Sequence, residues 1–125
     1  MKIQSIKCTI HRDPNTKKQV IPLPAMEVAG LERTEELVFH AQEGGILVGR
    51  TDMTAGEAIR VLTYLNRLSD SLVLQLVDAS NQVSSVLPPQ PDLLDPFDEE
   101  VLKDLVRSGA DPDGLRILLE PEAGR

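Results

Sequence analysis

Between Ala58 and Leu76 apolar side chains recur at three- and four-residue steps: Ala58, Val61, Leu62, Leu65, Leu68, Leu72 and Leu76. An α-helix presents residues of that spacing on one face. Just ahead, Thr54-Ala55-Gly56-Glu57 has the form of a capping box, in which Thr54 and Glu57 satisfy orphan backbone N–H groups reciprocally. The pattern predicts one helix from Thr54 to about Val77, roughly 35 Å long at 1.5 Å per residue. A small domain can cover the first half of such a stripe. Covering all of it calls for a partner, most simply the same helix of another copy.

The rest of the chain has few means of building a core alone. It has 125 residues with no Trp, one Tyr (Tyr64) and two Phe (Phe39, Phe97), so aliphatic side chains must supply the interior. Association relieves that shortage. The lone Cys8 excludes an internal disulfide and fits a reducing compartment. The opening residues alternate polar and apolar instead of forming the apolar block of a signal peptide, and no run is long enough to cross a bilayer. A cytoplasmic protein without membrane contact is expected.

Upstream of the helix, four short strands are predicted. Ile3 to Arg12 alternates, with Ile6, Cys8 and Ile10 on one face. Asp13-Pro14-Asn15-Thr16 is a turn, and Lys18 to Leu23 a second strand ended by Pro22 and Pro24. Ala25 to Ala29 has room for a turn or two of helix before Gly30. Glu36 to Gln42 and Ile46 to Arg50 form a hairpin about Glu43-Gly44-Gly45. The fold class expected is α+β, divided into a β unit (1–50), an amphipathic dimerisation helix (51–79), a Pro/Ser-rich linker (80–96) and an acidic C-terminal segment (97–125). In that last segment Asp98 to Ser108 reads as a helix, Asp111-Pro112-Asp113-Gly114 as a turn and Leu115 to Leu119 as a strand.

The formal charge is −7 overall but unevenly spread. Residues 1–50 carry seven Lys/Arg against six acids, and residues 51–125 six against fourteen. An anion-binding surface therefore belongs to the first half, since salt screens charges beyond about 8–10 Å. Nothing in the chain has the spacing of a catalytic triad, a P-loop, a dinucleotide fingerprint or a metal site, so no enzyme activity and no cofactor are expected. Cys8, between Ile6 and Ile10, reads as a small buried hydrophobe and His40 as a strand-surface residue.

The stretch Gln19-Val20-Ile21-Pro22 through Val48 resembles the AbrB/SpoVT/MazE superfamily of swapped-hairpin DNA-binding domains. Ile21-Pro22 matches its Ile-Pro, Ala29-Gly30-Leu31 its Leu-Gly-hydrophobic step, Glu36 to Phe39 its next strand, and Glu43 to Val48 its final hairpin. The likeness covers about 45 residues. Thr34-Glu35 stands where the family has Gly-Asp, and Glu27 occupies a helical turn that is basic in many members. The resemblance implies a homodimer with interleaved hairpins forming a β-barrel, or dimers paired as a tetramer, which presents basic residues of the first hairpin to duplex DNA. In this chain those residues are His11, Arg12, Lys17 and Lys18. The interface between copies would take in Ile21, Leu37, Phe39 and Leu47 from the hairpins, with Leu62, Leu65 and Leu72 from the helix. A transcriptional regulator is the first expectation. An antitoxin-like module whose acidic residues 92–125 bind a basic protein, and a dimerisation scaffold that has lost DNA binding, are the alternatives.

Overall fold

The computed structural model describes residues 6–122 and is α+β. It divides into two units, residues 1–56 and 57–125, which meet in the first turn of a long helix.

In the first unit, helix α1 spans Leu23–Ala29 and follows Pro22, with Pro24 in its first turn, where a missing N–H costs nothing. It ends at Gly30, whose φ of 72° only glycine adopts without strain. The Gly30 N–H donates to the Glu27 carbonyl at 3.1 Å and the Leu31 N–H to the Met26 carbonyl at 2.9 Å, closing the helix and turning Leu31 inward. Strands β1 (Leu37–Gln42) and β2 (Gly45–Arg50) pair antiparallel, with Gln42 opposite Gly45 and Leu37 opposite Arg50. Gly44, at φ 95°, makes the reversal. The Arg50 guanidinium reaches back to the Gly30 carbonyl at 2.6 Å and ties the end of β2 to the end of α1.

The ribbon is apolar on both faces. Phe39 and Val48 oppose each other on one, with Ala41 and Ile46 beside them, while Leu47 lies on the other opposite His40. An isolated two-stranded ribbon is marginal in water. Among the described residues of this unit, Leu31 is the one buried hydrophobic side chain.

The second unit is helical. Helix α2 runs Ala55–Gln82, α3 Glu99–Arg107 and α4 Pro112–Leu119, with single 3-10 turns at Pro91–Leu94 and Glu120–Glu122. Val77, Leu105, Ala110 and Leu115 form its core, and Val73, Leu94 and Leu102 pack against them. Ser80, fully buried, satisfies both ends of its hydroxyl: it donates to the Val77 carbonyl at 2.9 Å and accepts from the Asp111 N–H at 3.0 Å. Asn81 donates to the Gly109 carbonyl at 3.0 Å. Gly114 sits against the Ser80 carbonyl so closely that an added Cβ would collide with it.

Several expectations are corrected here. Residues 6–22 hold no strand, and neither do residues 18–23, because they have no ladder partner within the described chain; Ile3 to Ser5 lie outside the described residues. Leu23 instead opens α1. Cys8, on the same unpaired segment, is exposed. Leu115 to Leu119 is helix, not strand. Asp111 accepts from the Gly114 N–H at 3.2 Å as an N-cap, and Pro112 takes the first helical position. Asp-Pro thus starts a helix where a turn was expected. Helix α2 also continues to Gln82, into the expected linker, because Val77 and Ser80 are needed by the second core.

Ser80→Ala is expected to leave the Asp111 amide without its partner and to destabilise the second unit by about 1–3 kcal/mol. Urea denaturation and hydrogen exchange at Asp111 check this; unchanged exchange there would refute the bridge. Gly114→Ala is expected to be at least as damaging, since the colliding atom is backbone and cannot rotate away.

Candidate nucleic-acid interface

The segment 6–22 reverses at Asp13–Thr16. The Asn15 N–H donates to the Asp13 carboxylate at 2.9 Å, and the Thr16 N–H to the Asp13 carbonyl at 3.2 Å. This local Asx geometry needs no other part of the chain. Arg12 and Gln19 then face each other across the turn, with the Arg12 guanidinium donating to Gln19 Oε1 at 2.9 Å. Gln19 Nε2 in turn donates to the Thr16 carbonyl at 3.4 Å.

All four residues proposed for DNA contact are exposed. His11, Arg12 and Lys18 line one shallow open depression with Ile10, Gln19 and Val20, and Lys17 lies next to it on the turn. Residues 6–22 carry four basic side chains (Lys7, Arg12, Lys17, Lys18) against Asp13, a balance of +3. Residues 23–36 carry Arg33 against Glu27, Glu32, Glu35 and Glu36, a balance of −3. Among the described residues of this unit, net positive charge is therefore concentrated on the reversal and its arms, and α1, with Glu27 exposed, opposes an anion.

Of the residues proposed to join copies, Leu37 is half-buried and the other six, Ile21, Phe39, Leu47, Leu62, Leu65 and Leu72, are exposed. Leu37 and Phe39 share a ribbon face, while Leu47 belongs to the opposite one. Among the described residues no group of three His, Cys, Asp or Glu side chains is placed to hold a metal. No described helix is long and apolar enough to cross a membrane.

Two residues carry roles that local sequence reading missed. Gln19 orients Arg12, and Arg50, counted as one more cation, is engaged on the Gly30 carbonyl. Pairing across the Asp13–Thr16 turn was the available signal for Gln19; nothing in the sequence marked the Arg50 contact. No family model, curated protein or solved structure matches the chain.

Gln19→Ala is expected to leave thermal stability within about 0.5 kcal/mol, as for most exposed sites, while freeing the Arg12 side chain. Side-chain Nε–H relaxation of Arg12 by NMR measures this. An Arg12 that stays equally ordered in the variant would show that Gln19 does not hold it.

Proposed function

We propose that this protein is a DNA-binding transcriptional regulator of the AbrB/SpoVT type, acting as a homodimer whose residues 1–50 interleave with those of a second copy in a swapped-hairpin barrel. One observation carries the reading: exposed cations are concentrated on residues 6–22 of a unit that buries a single hydrophobic side chain, Leu31, among its described residues. Such a unit needs outside apolar contact to hold its ribbon, and a two-fold partner doubles each cation.

Surface area argues the same way. The chain exposes 10679 Å². A compact monomer of its mass exposes about 6,600 Å², and even two separate globules of these sizes expose about 8,000 Å². Exposed apolar side chains such as Phe39, Ile46, Leu62 and Leu72 contribute to that excess, and association would remove them from water. In the proposed dimer the segments 6–22 supply the ladder partners they lack within one chain, with Ile21, Phe39 and Leu47 covered by the twin. Arg12, Lys17 and Lys18 neutralise phosphates, and His11 lies beside them at the groove edge.

Binding to random duplex is expected to be strongly salt-dependent. Four to eight neutralised phosphates per dimer correspond to a loss of about 10²–10⁴-fold in affinity between 50 and 200 mM salt. Lys17→Glu with Lys18→Glu is expected to abolish binding, while light scattering reports the same multiple of 13.7 kDa as for the parent chain. A salt-insensitive interaction, or a charge-reversed variant that binds as before, would overturn the assignment.

A second reading draws on the C-terminal residues. Residues 92–122 carry ten acidic and three basic side chains, a surface suited to a basic protein partner. Their apolar side chains Leu102, Leu105 and Leu115 are engaged in the chain's own core, so the partner would meet a folded acidic face in place of a loose tail. Glu99→Lys with Glu100→Lys separates the two readings: DNA binding survives it and basic-partner binding does not.

A further inference from the structure

Helix α2 has two apolar faces, and its own unit uses only one. Val73, Val77 and Ser80 turn toward α3 and α4. On a separate stripe lie Val61, Leu65, Leu68, Leu72 and Leu76, of which Leu65, Leu68, Leu72 and Leu76 are 39–59% exposed. That stripe is symmetric about the midpoint between Leu68 and Ser69. Leu65 mirrors Leu72, Val61 mirrors Leu76, and Ala58 mirrors Ala79. Running the helix backwards returns an apolar side chain at each of these three paired positions, while Leu68 at the centre is set against Ser69.

Charge selects the direction in which two such stripes meet. Residues 92–122, with their ten acids and three bases, are fixed at the C-terminal end of α2 by Leu105, Ala110 and Leu115 on Val77 and by Asp111 on Ser80. Parallel pairing sets two bodies of charge −7 side by side. Antiparallel pairing places them at opposite ends of a helix about 42 Å long, several screening lengths apart. Within α2 itself the first half carries Arg60 and Arg67 against Glu57, a balance of +1, and the second carries Asp70 and Asp78, a balance of −2, so reversal sets the weakly basic half beside the acidic one. Opposed helix dipoles act in the same sense. A strip of that length and about 10–12 Å wide covers roughly 450 Å² per helix, or about 900 Å² in the pair, the size of a weak contact that adds to another interface.

We propose that the exposed stripe of α2 docks antiparallel on the same stripe of a second copy of this chain, with Ala58 against Ala79, Val61 against Leu76 and Leu65 against Leu72. Reversal holds the two N-terminal ends of α2 about 42 Å apart, so the copy met here is not the one whose residues 1–50 interleave, and the two contacts together build a tetramer. The helix contact itself is independent of whether residues 6–22 bind DNA.

Disulfide trapping in the full-length chain tests it, in a Cys8→Ser background so that no native thiol competes. A58C and A79C are prepared separately and then mixed under air oxidation. The mixture is expected to give a covalent dimer at least ten-fold faster than either variant alone. V61C with L76C is a second such pair, should either alanine variant melt early. Parallel docking would instead trap each variant with itself, and that result, or no trapping in either mixture, overturns the proposal. Duplex binding measured on the same samples reports separately on the DNA reading.

Discussion

Apolar side chains outnumber the places this chain has to bury them, and the architecture follows from that imbalance. With two Phe, one Tyr and no Trp, each half can enclose only a few aliphatic groups: Leu31 in the first unit, and Val77, Leu105, Ala110 and Leu115 in the second. The remainder, from Phe39 and Ile46 on the ribbon to Leu62 and Leu72 on the helix, stays in water in the single chain. At about 25 cal/mol per Å² of apolar area, that surface is a large driving force for association.

The two units solve the problem differently. The second closes its core with backbone-directed polar contacts: the Ser80 hydroxyl bridging to Asp111, Asn81 on the Gly109 carbonyl, and Asp98 and Asp111 capping their helices. Its surface ion pairs, such as Lys103 with Glu100 and Arg107 with Asp104, are exposed and add little. The first unit has the Arg50 contact to Gly30 and the closure of α1, but no comparable interior. Its net positive charge lies where its own structure is thinnest, on the segment 6–22.

Sequence pattern was most informative where structure is local. The hairpin from Leu37 to Arg50, the start of α2 behind Thr54, and α3 behind Asp98 were all legible, because turn and cap chemistry act within a few residues. The exposure of Arg12, Lys17 and Lys18 was legible for the same reason, as local polarity. Long-range demands were not. Helix α4 was hidden because Asp111-Pro112 suits a turn and a helix start equally, and the choice is made by Leu115 and Gly114 meeting α2. The strand expected at 3–12 rests on alternation and the one at 18–23 on a turn before it, and neither signal makes a strand without a ladder partner, which the described residues 6–22 do not have.

The contact between Ser80 and α4 binds two distant positions into one choice. Ser80 is small, polar and wholly enclosed, and Gly114 has no side chain because the carbonyl of residue 80 fills that space. A bulkier residue at 114 would lift α4 off the helix and strand the hydroxyl; an apolar residue at 80 would leave the Asp111 amide without its acceptor. Both sites are therefore held by backbone atoms, residue 114 by the residue 80 carbonyl and residue 80 by the Asp111 amide, and a change of side chain at one cannot relax the demand on the other.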